Sequence, residues 1–408
     1  MARIVQKYGG TSVADIDCIR NVARRVQKEV EDGNQIAVVV SAMAGVTNQL
    51  SNWCRELNGQ NHSSEIDVIL ATGEQATSGL LALALMDLGV EARSWLGWQI
   101  PIYTDTTYTK ARIDNINCSK LMHAMEKGQV AVVSGFQGLS TTNRITTLGR
   151  GGSDTSAVAL AAAVNAQRCD IYTDVEGVYT TDPRIVPRAQ KIDLITYEEM
   201  LEMASQGAKI LQTRAVALAM RYKVNLQVLS SFSDTPGTLV IGEDQILEQQ
   251  TISGIAYSPD EAKITLRGVK DRPGVAASIF GSLADSAINV DMIVQNVSED
   301  GETTDLTFTV DRGDLERATR VLENLKKEIH FSNISADASV AKISVVGVGM
   351  RSQPGVAKTM FQTLAERGIN IQVISTSEIK VSVLISAEYT ELAIRALHTA
   401  YGLDSQHV

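Results

Sequence analysis

The chain opens with a short apolar run at Ile4–Gln6, then Gly9-Gly10-Thr11-Ser12, then Val13, Ile16, Ile19, Ala23, Val26 and Val30. The first run suits a strand and the last set recurs at helical spacing, so a strand, a turn and an amphipathic helix are predicted in that order. Ser12 with Asp15 resembles a capping box at the start of that helix. Gly33-Asn34 breaks the helix, and Ile36-Ala37-Val38-Val39-Val40 follows without a polar residue. Such a run suits a parallel strand covered on both faces. The pattern returns at Val130–Val133, Ile171–Tyr172 and Asn225–Leu229, with helices predicted at Ser156–Ala166 and Tyr197–Ser205. Strands alternating with helices predict an α/β fold, a mostly parallel sheet sandwiched by helices. Ligands bind beyond the carboxyl ends of such strands.

The pattern changes near residue 240. Gly237–Gly242 reads as a closing strand and Glu243–Gln250 as an acidic connector. Beyond it Pro273-Gly274-Val275-Ala276 recurs as Pro354-Gly355-Val356-Ala357, an offset of 81, and nine of 17 positions over Pro273–Asn289 are identical. Phe280, Leu283, Ala284, Ile288, Asn289 and Ile293 align with Phe361, Leu364, Ala365, Ile369, Asn370 and Ile374. An internal repeat of this kind predicts two copies of one small α+β module. The domains expected are residues 1–245, 263–335 and 342–408, with 246–262 a linker able to contribute a strand.

Composition narrows the class. At ~100–200 residues per domain, 408 residues make two to four domains. Apolar residues at 44% and charged residues at 21% allow a sizeable core. The most apolar runs, Gly79–Leu85 and Ala157–Val164, fall short of the ~18 uninterrupted residues of a membrane span. Met1–Val5 lacks a signal-peptide apolar region, so no membrane association and a cytoplasmic location are expected. Cys18, Cys54, Cys118 and Cys169 lie too far apart for a zinc knuckle or a disulfide framework. Acidic residues (47) exceed basic ones (37) with no basic tract to offset them, so no nucleic-acid partner is expected.

Three segments at strand ends point to phosphoryl transfer. Lys7 precedes the pair Gly9-Gly10, whose backbone amides suit phosphate oxygens. Gly149-Arg150-Gly151-Gly152-Ser153-Asp154 precedes a small-residue helix and places amides, a guanidinium and a carboxylate at its start. Thr173, Asp174, Tyr179, Asp182, Pro183 and Arg184 share one loop with turn chemistry at Asp182-Pro183. There is no G-x-x-x-x-G-K-[ST] and no G-x-G-x-x-G, which argues against a P-loop enzyme and against a dinucleotide enzyme. His62, His123, His330, His398 and His407 are scattered and suit surface positions better than a metal site or a triad.

Lys7-Tyr8-Gly9-Gly10-Thr11-Ser12, Thr72-Gly73-Glu74, Thr147–Asp154, Thr173-Asp174 and Tyr179–Arg184 resemble the motifs of the aspartate kinases, in the amino-acid kinase superfamily. The C-terminal repeat resembles the paired ACT modules of the same family, of βαββαβ type. The resemblance implies ATP-dependent phosphorylation of the L-aspartate side-chain carboxylate to 4-phospho-L-aspartate, the first step toward lysine, threonine and methionine. ATP with Mg²⁺ is the implied cofactor pair, with no metal site built from protein ligands alone. By motif, Lys7 and Asp154 would be catalytic. Ser41, Thr47, Glu74, Arg150, Gly151, Gly152 and Ser153 would bind aspartate. Lys7, Gly9, Gly10, Thr173, Asp174, Tyr179, Arg184 and Lys209 would bind nucleotide. The rival readings are a kinase for another acidic amino acid, such as glutamate, and a catalytically silent amino-acid sensor.

The resemblance also implies feedback inhibition by lysine, threonine or both, through ACT modules that pair across subunits. The matching positions are Asp271, Pro273, Gly274, Val275, Ala276, Asn289, Val290, Asp291 and Gln295 in the first module. In the second they are Val356, Ala357, Asn370, Ile371, Ser377 and Glu378. Asp271, Asp291 or Glu378 would hold the effector ammonium. Some relatives make a short second subunit from an internal start codon. No methionine lies between Met220 and Met292 here, so a homo-oligomer of full-length chains is expected.

Overall fold

The N-terminal apolar run forms strand β1 (Arg3–Tyr8), and the helical spacing behind it forms α1 (Ile16–Glu31). The computed structural model describes residues 2–57, 62–207, 210–246, 251–297 and 301–404. A one-turn 3₁₀ segment, Gly10–Val13, separates the two elements. The helix is capped by Asp15, whose side chain accepts from the Cys18 N–H at 2.8 Å, and not by Ser12. Ser12 is buried and its hydroxyl bonds Ser231 Oγ at 2.6 Å, so it ties two strand ends together instead.

The first half continues as β2 (Gln35–Val40), α2 (Val46–Glu56), α3 (Ser63–Asp87), β3 (Ala92–Trp95), β4 (Ile102–Thr104), β5 (Ile113–Ile116) and α4 (Ser119–Glu126). Then come β6 (Val130–Ser134), β7 (Gln137–Ser140), β8 (Ile145–Thr147), α5 (Gly152–Ala163) and β9 (Arg168–Thr173). β10 (Leu194–Thr196), α6 (Tyr197–Ser205), α7 (Thr213–Tyr222), β11 (Leu226–Ser230) and β12 (Thr238–Ile241) complete it. The main sheet has eight strands in the order β10-β12-β11-β9-β1-β2-β6-β3. Every pair is parallel except β11 with β12. β1 sits between β2 and β9, so the chain leaves it in two directions and opens a crevice at its carboxyl end. A smaller sheet, β5-β4-β7-β8, delivers Thr147 to the glycine-rich turn before α5.

Ile4, Tyr8, Ile36, Val38 and Val40 pack on one face against Ile19, Val26, Leu81 and Leu85 of α1 and α3. Alternation sends Lys7 to the other face, where α5 lies over β1, β2 and β9. α3 extends the apolar run Gly79–Leu85 to 25 residues and is, by length and composition alone, apolar enough to cross a membrane. Its Ala71, Leu81 and Leu85 are fully buried in this unit.

The chain forms two compact units, the second taking Tyr179–Gln190 together with the C-terminal part. It contains β13 (Gly254–Lys270), α8 (Val275–Asp285), β14 (Val290–Val297), β15 (Thr303–Asp311) and α9 (Leu315–Ile329). β16 (Asn333–Val346), α10 (Val356–Glu366), β17 (Val373–Thr376), β18 (Lys380–Ser386) and α11 (Thr390–Ala400) follow. Its six-stranded sheet runs β14-β15-β13-β16-β18-β17. The long strands β13 and β16 pair antiparallel along both repeats: Gly254–Ser258 lies against Lys342–Val346, and Lys263–Arg267 against Asn333–Asp337. The first residues of β13 thus serve the second repeat, and Ile255 joins the core of Ile343, Met360, Leu364 and Leu397. The first repeat has its own core around Ile264, Ile279, Leu283, Phe308 and Leu322. Gly274 and Gly355, at φ +94° and +112°, occupy equivalent left-handed turns before α8 and α10.

Candidate active site

Lys7 is nine-tenths buried near the carboxyl end of β1, and its Nζ lies 2.6 Å from Asp154 Oδ1 on the first turn of α5. Two features put Asp154 there. Gly151 adopts φ +69° at the start of α5, where a Cβ would lie 2.0 Å from the Gln212 side chain. The helix therefore begins at Gly152, before the Ser156 predicted, and a carboxylate in a helix's first turn is favoured by the partial positive charge there.

These residues border a cavity of about 500 Å³ in the first unit. Lys7, Gly10, Ser41, Thr47, Glu74, Arg150, Gly151, Gly152, Ser153 and Asp154 all line it, so every residue expected to bind aspartate does. Ser41 comes from the β2–α2 loop, Thr47 from the first turn of α2, Glu74 from the middle of α3, Lys7 and Gly10 from β1 and the 3₁₀ segment behind it, and the rest from the turn into α5 and its first turn. Arg150 is exposed at the rim. Gly9 does not line the cavity: its N–H donates to the Tyr172 carbonyl at 3.3 Å, leaving Gly10 as the lining glycine of the pair.

Glu74 is 3% exposed. Its Oε1 accepts from the Ala42 N–H at 3.0 Å, and its Oε2 has no hydrogen-bond partner among the described residues. Burial pushes its carboxyl from an ordinary 4.5 up to about 7, against the opposing effect of the Ala42 bond. A buried carboxylate with one open oxygen is an acceptor shaped for a donor that bears charge.

Sequence reasoning misses two residues that hold this wall in place. Asp67, two turns before Glu74 on α3, is fully buried and accepts from the Thr109 and Thr147 N–H groups and the Thr147 hydroxyl. A carboxylate inside the otherwise apolar stretch Ile66–Leu70 is the signal available. Arg214 on α7 donates to the Leu148 and Ala111 carbonyls, both at 2.9 Å, and so braces the turn before Gly149.

The residues expected at nucleotide divide. Thr173 ends β9 and its hydroxyl bonds Asp174 at 3.1 Å, in the first unit. Tyr179 and Arg184 lie on the segment counted with the second unit. There Asp182 Oδ1 accepts from the Arg184 backbone N–H at 2.9 Å, the turn that Asp182-Pro183 predicts, and its carboxylate pairs with the guanidinium. Lys209 lies outside the described residues. No group of three or more His, Cys, Asp or Glu fit to hold a metal occurs among the described residues.

In the second unit Pro273 and Gly274 form the turn into α8, Val275 and Ala276 begin that helix, and Asn289, Val290, Asp291 and Gln295 lie at or along β14. Val356 and Ala357 begin α10, while Asn370, Ile371, Ser377 and Glu378 flank β17. Two of the three acids expected to hold an ammonium are already paired. Asp291 Oδ2 lies 2.6 Å from Lys342 Nζ, which also meets Glu261 at 2.8 Å, and Asp291 Oδ1 accepts from the Met292 N–H. Glu378 faces Arg351 at 3.5 Å. For Asp271, no side-chain hydrogen bond or ion pair is found among the described residues, and its backbone N–H donates to the Glu302 carbonyl at 2.9 Å.

The sequence profile of the amino acid kinase family matches residues 2–230, and that of the ACT domain matches 264–325 and 343–401. An aspartate kinase of Pseudomonas putida is 55% identical over 406 residues, covering 99% of this chain and 98% of the relative. An aspartokinase of Corynebacterium glutamicum is 46% identical over 411 residues, covering 100% and 97%. Among solved structures, E. coli aspartokinase III in complex with aspartate and ADP (R-state) superposes with a TM-score of 0.81 at 27% identity, covering 97% of this chain and 99% of that one. The same enzyme in complex with lysine and aspartate (T-state) gives 0.77 at 28% identity, covering 97% and 98%. With the residues expected at aspartate gathered on one cavity and relatives matched over nearly their whole length, the chain belongs to the amino acid kinase family, among its ACT-bearing aspartate kinases.

Proposed function

We propose that the cavity binds L-aspartate beside the γ-phosphoryl group of ATP and that the product is 4-phospho-L-aspartate. The observation that carries this is the Lys7–Asp154 pair at 2.6 Å, on the same cavity as the open carboxylate of Glu74. The nucleophile needs no base, because a side-chain carboxylate of pKa ~3.9 is already ionised at neutral pH. The barrier is the approach of two anions, which fixed positive charge lowers. Lys7 supplies that charge to the transferring phosphoryl, and Asp154 aims it. The attacking oxygen forms a bond to γ-phosphorus, the bond to the bridging oxygen breaks, and ADP leaves with the electron pair. Gly10, with Gly151, offers backbone donors, while the Gly152 N–H is taken by the Gly149 carbonyl at 3.0 Å.

Glu74 takes the α-ammonium of aspartate and Arg150 its α-carboxylate, with Ser41, Thr47 and Ser153 on the remaining oxygens. By motif, Thr173, Asp174, Tyr179 and Arg184 are each assigned to the nucleotide. Mg²⁺ needs only one or two protein carboxylates when phosphates supply the other oxygens, and Asp154 on the cavity would be the carboxylate to hold it. When bound, it neutralises developing phosphate charge. A coupled hydroxylamine assay tests the reading: aspartyl hydroxamate with aspartate and none with glutamate is expected. No product with either would leave only a sensor. Arg150→Ala is expected to raise KM for aspartate about tenfold with kcat little changed, since the clamp grips a part that does not react. An unchanged KM for aspartate with a raised KM for ATP would reverse the assignment.

The same reading places the enzyme at the first step toward lysine, threonine and methionine, in homo-oligomers of full-length chains formed through the ACT modules. Lysine, threonine or both inhibit it through those modules, the amides freed at Gly274 and Gly355 taking the effector carboxylate. Asp271 is assigned the ammonium because Asp291 and Glu378 are already paired. Inhibition requires tighter effector binding to the inactive arrangement, with a coupling of ~1–3 kcal/mol. Asp271→Ala is expected to raise the half-inhibitory effector concentration about tenfold and to leave uninhibited activity unchanged. If neither amino acid, alone or together at millimolar levels, alters activity or Tm, the regulatory assignment is wrong.

A further inference from the structure

The segment Tyr179–Gln190 carries Tyr179 and Arg184, and within the second unit it is fastened by a buried polar relay. Thr180 is 6% exposed. Its N–H donates to the Gln190 carbonyl at 2.9 Å, its carbonyl accepts from the Ile255 N–H of β13 at 2.7 Å, and its hydroxyl oxygen accepts from the Gln190 N–H at 3.0 Å. That hydroxyl also lies 2.9 Å from Nε2 of His398. His398, expected at the surface, is fully buried on the inner side of α11, next to Leu397. Its Nδ1 lies 2.7 Å from Asp404 Oδ1, and the other Asp404 oxygen accepts from the Thr399 hydroxyl at 2.8 Å.

The donors and acceptors along this relay are complementary. An ionised carboxylate only accepts, so the imidazole hydrogen sits on Nδ1 and points at Asp404. With a neutral ring Nε2 is the acceptor, and the Thr180 hydroxyl, already accepting from Gln190, donates to it at 2.9 Å. Each ring nitrogen is matched. Further along the segment, Arg395 Nε donates to the Ile185 carbonyl at 2.9 Å, and the Tyr257 hydroxyl meets Asp182 Oδ2 at 3.2 Å. Asp182 is the residue that pairs with the Arg184 guanidinium.

Packing alone does not require this. Ile185 and Val186 already anchor the segment in the apolar core of the second repeat. An imidazole buried at that core has a desolvation cost that a leucine would not. What the relay adds is direction, because a hydroxyl held at once by the Gln190 N–H and by His398 Nε2 has one orientation. We propose that Thr180, with His398 and Asp404 behind it, is a positioning residue that holds Tyr179–Gln190 in the shape in which Tyr179 and Arg184 receive nucleotide. The inference rests on the assignment of those two residues to ATP made above.

Steady-state kinetics on full-length variants test it, with Tm measured alongside. Thr180→Val, which keeps the shape and removes the hydroxyl, is expected to raise KM for ATP about fivefold, with kcat and KM for aspartate within roughly a factor of two. Thr180→Ser retains the hydroxyl and is expected to behave as the parent. Asp404→Ala cuts the relay at its less buried end and is expected to raise KM for ATP about threefold, an independent route should Thr180→Val not fold. Arg184→Ala serves as the control for the underlying assignment and is expected to raise KM for ATP about tenfold. A lower Tm with unchanged KM for ATP in Thr180→Val and Asp404→Ala, while Arg184→Ala raises it, would reduce the relay to a structural clamp. An unchanged KM for ATP in Arg184→Ala would remove the nucleotide assignment of the segment itself, and the positioning role with it.

Discussion

Lys7→Ala is expected to lower kcat about a thousandfold, the cost typical of removing one preorganised donor aimed at transition-state charge. The effect should fall on kcat and on kcat/KM together, since the ammonium matters most when the phosphoryl group is in flight. The pair with Asp154 at 2.6 Å supplies a second, sharper test. Both side chains are about nine-tenths buried, so the carboxylate orients the ammonium and keeps it from turning elsewhere. Asp154→Asn should therefore reduce kcat by less than Lys7→Ala. The double variant should lose little more than Lys7→Ala alone, because the second substitution removes the aim of a charge already gone. Additive losses would mean that Asp154 acts independently of Lys7. A Lys7→Ala enzyme keeping a tenth of its turnover would mean that the positive charge at the phosphoryl comes from elsewhere.

How much of this was legible depended on which signal each element carries. β2 and β6 are covered on both faces and read as unbroken apolar runs, so Ile36–Val40 and Val130–Val133 announce themselves. The wall of the cavity was legible wherever a glycine-rich turn follows a strand, as at Gly149–Asp154. α3 was not. It is apolar nearly all round, so its sequence shows no helical stripe, and only the short run Gly79–Leu85 stands out. Asp67, which holds Thr109 and Thr147, disappears with it. The cap of α1 shifted from Ser12 to Asp15 because Ser12 has a long-range partner in Ser231, 219 residues away, which no local pattern can reveal. Distance in sequence hides His398 in the same way, since its partner Thr180 is 218 residues away. Asp291 fits an ammonium site by position but stands beside Lys342, brought there by the pairing of β13 and β16.

The Michaelis constant for aspartate is expected to rise about tenfold as pH falls from 8 to 6, and Glu74 is the cause. Burial holds its carboxyl at about 7 in the free protein, well above the ordinary 4.5. An α-ammonium is attracted by the ionised form and not by the neutral one, so only the ionised fraction binds aspartate well. That fraction is about ten-elevenths at pH 8 and about one-eleventh at pH 6, which gives the tenfold change. Glu74→Gln should raise KM for aspartate at pH 8 by at least about tenfold and leave it flat across the range, because the amide neither ionises nor attracts charge. Stability should move the other way. The folded-state pKa lies above the unfolded one, so the unfolded chain releases this proton first and folding loses stability as pH rises from 4.5 through about 7. Glu74→Gln abolishes that ionisation and should not lower Tm at pH 8. Weaker substrate binding without weaker folding is the signature of a carboxylate placed for its ligand. A wild-type KM for aspartate that stays level between pH 6 and 8 would show that the ammonium is held by some other group.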